Sequence, residues 1–263
     1  SFGSSIANEL LMIVRKQVSN PDLKYKKMGL IGTIKIVSCL GDANNTACQS
    51  SSQKSNYEEA LELLKTSLDS CKQLPLPLIL FYDELIAMLD YKTLHPAIME
   101  WIGTHVGEFE SMFLSDLECG QLPAKDLYCG LEGELWMNLD GDISPICVNI
   151  LPLVSSLQSA SPLQILPAKF LLLSMIERSA NQGSLGGIDA LLGCPIHLPS
   201  SKVFSESAWQ TLTGQQKQIV CLSLYYAVNW IRELLNAFCT QVAGKFDCIS
   251  QATKDEIIAK LLK

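Results

Sequence analysis

Histidine and charge are scarce in this chain. Its 263 residues hold three His, and 18% charged side chains stand against 48% apolar ones. That balance excludes a disordered segment and suits a packed protein with buried helices. Familiar catalytic signatures are missing as well. No Walker loop, Gly-x-Gly-x-x-Gly, Gly-x-Ser-x-Gly or His-Glu-x-x-His occurs, which removes the readiest routes to enzyme chemistry. Ten cysteines are present, but no two are spaced Cys-x-x-Cys. Zinc fingers and redox dithiols are therefore not expected, and neither a metal nor another cofactor is implied. Cys39, Cys221 and Cys239 fall inside helical patterns and read as small buried hydrophobes. No apolar run reaches the roughly 18 residues of a membrane span, so no membrane partner is expected. The net charge of −7 argues against a free-standing nucleic-acid binder. Any DNA contact would come from a local basic cluster or from parts outside this chain. Cysteine usage and the absence of a secretory-type opening point to a reducing compartment, cytosol or nucleus.

What the chain does have is helical periodicity. Residues 4–18 read as one helix and 21–40 as its partner after a tight turn at Ser19-Asn20, an αα-hairpin. Asn20-Pro21-Asp22 reads as a helix start: a capping Asn, Pro at the first helical position, then an acid in the first turn. Residues 41–56 read as a loop. Helices are expected at 56–73, 78–90 and 95–115, with Pro75 and Pro77 as breakers. Residues 116–144 are acidic and Gly-rich, an irregular segment with a short strand pair around Leu135–Leu139. Helices resume at 146–157, 162–182 and 188–192. A Pro and Ser loop follows at 193–206, then a long helix at 208–242 interrupted near Gly214, and a last helix at 252–262. The expected fold is all-α: an irregular α-solenoid of antiparallel helix pairs with an irregular acidic insertion. Its expected divisions are 1–115, carrying the hairpins, the acidic segment 116–144, and a helical segment 145–263.

One lysine stands out within the second helix. Leu23, Leu30, Ile31, Ile34 and Val37 fall on a stripe about 120° wide at roughly 100° per residue. Lys27 lies near its middle, between Leu23 and Ile31, whereas Lys24, Lys26 and Lys35 point to the flanks or to water. A charged amine on a core-facing stripe is costly unless it is paired or reaches solvent. It is either a snorkelling side chain or one held for chemistry, as a modification target or inside a partner interface. Arg15, Lys16, Lys24, Lys26, Lys27 and Lys35 make a basic cluster. They form either a solvated helix surface or a local attraction for DNA phosphate or an acidic enzyme surface.

The string from Val14 to Gly32, with Lys24-Tyr25-Lys26-Lys27-Met28-Gly29 at its centre, resembles the acceptor-lysine region of the Fanconi anaemia group D2 family. Later strings resemble the same family in the same order: Tyr82-Asp83-Glu84-Leu85, Met99-Glu100-Trp101-Ile102-Gly103, Ile150-Leu151-Pro152-Leu153, residues 188–196 and residues 229–239. The resemblance is densest at 12–34 and 186–240 and poor at 41–56 and 107–144. It implies an internal, nuclear piece of a longer helical DNA-repair scaffold with no active site of its own. It also implies one lysine that receives a single ubiquitin from a conjugating enzyme and the Fanconi core ligase complex. The implied partner is the homologous Fanconi anaemia I protein, and the implied role is a clamp on DNA in interstrand crosslink repair. Lys27 is the implied acceptor because it lies on the stripe. Arg15, Lys16, Lys24, Lys26 and Lys35 are candidate flanking contacts to DNA or enzyme. A plain helical scaffold without a modification switch is the alternative.

Other motifs read as structural. Gly29-Leu30-Ile31-Gly32 lies inside the helical pattern and reads as a close packing face. Cys194-Pro195-Ile196-His197 reads as a packed loop, and Asn138-Leu139-Asp140-Gly141-Asp142 as a solvated acidic turn lacking the closing Glu of a calcium loop. Glu132, Glu134, Asp140 and Asp142 read as surface charge. A hydrolase hidden in 116–144 would require a pocket with convergent carboxylates there. Trp101, Trp209 and Trp230 read as core, and Trp136 as the aromatic exposed for a partner.

Overall fold

A computed structural model describes residues 2–44, 56–116, 128–137, 146–155, 161–180, 186–243 and 258–259. The expected last helix and most of 41–56 and 116–144 lie largely outside the described residues. Among those described, the chain is mostly α, with ten α-helices and one four-stranded sheet. It divides into two compact units, residues 1–105 and 106–263.

The first unit holds α1 (Phe2–Val18), α2 (Leu23–Leu40), α3 (Asn56–Cys71), α4 (Pro75–Tyr91) and most of α5 (Pro96–Glu110). Central α2 packs on α1, α3 and α4. Its Leu30, Ile34 and Val37 are fully buried, as are Leu64, Phe81, Leu85 and Met88 on its neighbours. The close face foreseen at Gly29 and Gly32 is real. A Cβ on Gly29 would lie 2.5 Å from Val18 N and 2.8 Å from Gln17 C, and one on Gly32 would lie 3.1 Å from Val14 Cγ2. Pro75 and Pro77 do not break a helix; they sit in the first turn of α4, where a missing N–H costs no intrahelical bond.

The second unit contains the sheet, which is the main departure from an all-α reading. Its strands are β1 (Leu114–Asp116), β2 (Gly133–Trp136), β3 (Ile146–Asn149) and β4 (Ile196–Pro199), in the order β1-β3-β4-β2. β3 and β4 run parallel, and the outer pairs are antiparallel. β3 replaces the start of the helix expected at 146–157, leaving only short α6 (Leu151–Ser155). β4 and a 3₁₀ turn at Ser201–Phe204 replace the loop expected at 193–206. β2 pairs with β4, while Leu139 of the strand pair expected around Leu135–Leu139 lies outside the described residues. These strands are three or four residues long, and all of β4 is buried, so neither length nor alternation announces them. The remaining helices are α7 (Ser161–Ala180), α8 (Gly186–Gly193), α9 (Glu206–Thr211) and α10 (Gly214–Ala243). Phe113, Phe170 and Trp230 meet edge to face, with centroids 4.9–5.7 Å apart. Trp101 and Trp209 are only half-buried, and so is Trp136, whose ring lies edge-on to Phe204. Cys39, Cys221 and Cys239 are exposed, whereas Cys71, Cys147 and Cys194 are buried. Helical periodicity places the first three inside helices but does not say which face they share.

A buried cation in this unit has a measurable signature. Lys169 on α7 is 9% exposed, and burial pulls its amine down to about 8. An unfolded lysine titrates near 10.4, so below pH 8 both states are charged and the penalty is fully present. Between pH 8 and about 10 the folded chain sheds the proton first, and stability rises with pH. Lys169→Met should therefore raise Tm at pH 7, and that advantage should shrink as parallel melts approach pH 9.5. At the α1–α2 contact, Gly29→Ala should destabilise by about 2 kcal/mol in urea titrations, because backbone must move. Gly32→Ala, facing a side-chain methyl, should fall within about 1 kcal/mol of neutral.

Candidate functional site

The α1–α2 hairpin gathers the basic residues. α1 ends at Val18, and α2 starts at Leu23, with Asp22 as its N-cap accepting from Lys24 N at 2.8 Å. Asn20 is not the cap: its Oδ1 accepts from Asp22 N at 2.9 Å, an Asx turn that delivers the chain to Asp22. Ser19 N and Asn20 N still donate to Arg15 O and Gln17 O at 3.1 Å, but the helix ends there and Val18 O must find its partner outside α1.

Lys26 supplies one partner. Its side chain is 6% exposed, and Nζ donates to Val18 O at 2.6 Å. The charge also sits where the α1 macrodipole is negative. Cys71, at the end of α3, feels Lys26, yet burial dominates and pushes its thiol up to about 12. Lys26 is thus an internal tie and not the outward residue expected from the stripe. Lys27 is half-buried, Lys24 is exposed, and Leu23 and Ile31 on either side of Lys27 are 44% and 38% exposed. The true core face of α2 runs through Lys26, Gly29, Leu30, Thr33, Ile34 and Val37. Counting only large apolar residues rotated the expected stripe toward Leu23 and Ile31. Treating Gly29 and Gly32 as face markers would have set it correctly and exposed Lys26 as the buried amine.

The other members of the basic cluster divide by partner. Arg15 pairs with Glu59 at 2.6 Å and Glu62 at 3.4 Å. Lys35 lies 4.0 Å from Glu84 and over the Tyr91 ring at 5.7 Å. Lys16, Lys24 and Lys27 pair with no described carboxylate. Tyr25 and Met28 are exposed beside them, at 48% and 49%.

Two carboxylates of the acidic segment, Glu134 and Glu132, are engaged by the region after β4. Glu134 accepts from Ser200 Oγ, Ser201 N and Ser201 Oγ at 2.9–3.0 Å, and these bonds hold its pKa below the usual value. Glu132 lies 3.4 Å from Lys202. Glu134 therefore staples the 3₁₀ turn instead of being free surface charge; Asp140 and Asp142 lie outside the described residues. Cys194 and His197 belong to a packed strand region: Cys194 Sγ contacts Ala190 O, and His197 Nδ1 lies 3.1 Å from Asn149 Oδ1. Burial lowers the His197 pKa. Among the described residues no group of three or more His, Cys, Asp or Glu could hold a metal ion.

Fold and site together define a mostly helical protein with a lysine-bearing hairpin. The chain belongs to the Fanconi anaemia group D2 family. The family model described as "Fanconi anaemia protein FancD2 nuclease" matches residues 1–249. Among similar proteins, the Fanconi anemia group D2 protein of Gallus gallus is 32% identical over 91% of this chain and 18% of its own length. The Mus musculus homolog is 29% identical over 90% of the chain and 18% of its length, and the Drosophila melanogaster homolog is 23% identical over 88% and 17%. The chain thus spans less than a fifth of these relatives.

The tie made by Lys26 should be visible in stability. Lys26→Met should cost about 1–2 kcal/mol, because it orphans the Val18 carbonyl. Lys24→Met and Lys27→Met should stay within about 0.5 kcal/mol of the parent in urea titrations.

Proposed function

We propose that this chain belongs to a nuclear DNA-repair scaffold of the Fanconi anaemia pathway and carries its ubiquitin acceptor at Lys27. Such a protein pairs with the homologous Fanconi anaemia I protein as a clamp on DNA and acts in interstrand crosslink repair. Its modification needs ubiquitin, a conjugating enzyme and the Fanconi core ligase complex. Acceptor chemistry requires an unprotonated amine that attacks the ubiquitin thioester carbonyl, forms an isopeptide bond and expels the enzyme thiolate. The observation that supports Lys27 is the contrast within one family-matched hairpin. Lys26 is engaged by a helix carbonyl, whereas Lys27 sits half-covered among exposed Leu23, Met28 and Ile31 without a described carboxylate.

Arg15, Lys16, Lys24 and Lys35 are proposed flanking contacts to DNA or enzyme, made within the full-length complex. Arg15 and Lys35 would first exchange their present acidic partners. The word nuclease in the family description is matched by no proposed step in this region, whose role here is substrate and scaffold.

A damage-dependent ubiquitin shift assay on the full-length protein tests the reading. Lys27→Arg should abolish the shifted band and crosslink resistance with an unchanged melting curve. Lys24→Arg should retain both. Lys26→Arg is read beside its melting curve, since its amine has a structural bond to lose. Persistence of the band in Lys27→Arg would overturn the acceptor assignment. Absence of any band in the parent, with normal crosslink resistance in every variant, would favour the plain scaffold.

A further inference from the structure

The buried amine of Lys169 has an unusual neighbour. Among the described residues no carboxylate pairs with it. Its Nζ lies 3.0 Å from the thioether sulfur of Met112 and 5.0 Å from the Phe109 ring centroid. A thioether is a weak acceptor, and an aromatic face offsets only part of the desolvation of an ammonium. The cation is thus held by soft partners in a poorly hydrated place. Met112 itself is 38% exposed, so the residue that meets the buried cation is also reached by solvent.

We propose that Met112 is a peroxide-responsive modification site, in which oxidation gives Lys169 the strong acceptor it lacks. Hydrogen peroxide is the oxidant. A sulfur lone pair attacks one peroxide oxygen, the S–O bond forms and the O–O bond breaks. Sulfur loses two electrons and the peroxide gains them. Lys169 hands a proton to the departing hydroxide, which leaves as water, and takes back the proton from the S–OH group. The products are the sulfoxide and one water, with the ammonium restored. The new S=O oxygen is a far better acceptor than sulfur, so it binds the ammonium that assisted its formation. Methionine oxidation ordinarily loosens packing; here it supplies a charge-assisted hydrogen bond.

The molecule contains its own comparators. Met175 accepts from Arg178 at the same 3.0 Å but is only 7% exposed, so it has the cation without the access. Met12, Met28 and Met137 are 64%, 49% and 41% exposed, and no described cation touches their sulfurs. They have the access without the cation.

The test is a timed hydrogen peroxide series on the folded chain, quenched with free methionine and read by peptide mass spectrometry. Met112 should oxidise at least as fast as Met12 despite its lower exposure, and Met175 should lag. Lys169→Leu should slow Met112 severalfold while leaving Met12 unchanged. In a background carrying Met12→Leu, Met28→Leu and Met137→Leu, conversion of Met112 to the sulfoxide should raise Tm by about 2 °C. The same treatment of a chain also carrying Met112→Leu should not. If Met112 ranks by exposure alone, or if its sulfoxide leaves Tm unchanged or lower, the proposal is overturned. These two readouts on chains that keep Lys169 stand even if Lys169→Leu folds poorly.

Discussion

The seating of the last turn of α1 on Gly29 is the constraint on which the hairpin depends. No side chain separates the two helices there, since even a methyl would meet Val18 N and Gln17 C inside contact distance. Such proximity fixes where the α1 C-terminus lies, and hence which residue of α2 can reach its carbonyls. Lys26 is one turn before Gly29 on the same face, and its four-carbon stem brings Nζ to Val18 O. The glycine contact and the lysine bond therefore reinforce each other: close approach makes the carbonyl reachable, and the charge offsets the macrodipole that the approach buries. Because α2 also packs on α3 and α4, a shift of α1 would propagate into the core of the whole first unit.

This geometry was partly legible in the sequence. The hairpin, its tight connection and the Gly29–Gly32 packing face follow from local spacing. The failure at the lysines came from weighing hydrophobicity over size. Gly29, Thr33 and Ser38 are buried, while Leu23 and Ile31 are exposed, so the face was defined by close approach as much as by apolar area. Lys26 is satisfied by a carbonyl eight residues back in another helix, and no periodicity argument contains that acceptor. The sheet was hidden for a related reason. β3 and β4 are distant in sequence and pair in parallel, and their short buried runs carry no period of their own. Glu134 illustrates the same limit: its partners Ser200 and Ser201 are 66 and 67 residues away.

Three cations of this weakly charged chain sit in distinct settings. Lys26 meets a backbone carbonyl, Lys169 a thioether and an aromatic face, and Arg15 two carboxylates. Only the last is an ordinary surface ion pair, of the kind that contributes about 1 kcal/mol or less. The first replaces a missing helical bond. The second leaves a desolvation cost largely standing, and burial pulls its amine down to about 8. Burial by itself therefore says little about a lysine here; the acceptor at its tip decides whether it stabilises, strains or stays available.

Availability then bears on how one amine in a run of near neighbours could be selected. On the proposed function, a conjugating enzyme facing Lys24-Tyr25-Lys26-Lys27 meets one free amine, one engaged amine and one half-covered amine. Sequence density cannot separate them, but packing does. The exposed apolar residues around Lys27 add a directional consequence. A partner that covered Leu23, Met28 and Ile31 would desolvate them favourably, and it would also bury the Lys27 amine and hinder its conjugation. The exclusion also works in the other direction by sterics: a ubiquitin attached at Lys27 would occupy space beside the face that the docked partner covers, and would disfavour that arrangement. Modification at such a residue would not simply add a label. It would shift the population toward arrangements in which the hairpin face is uncovered or covered differently, which is how a small local packing difference between two adjacent lysines can be read out by the whole assembly.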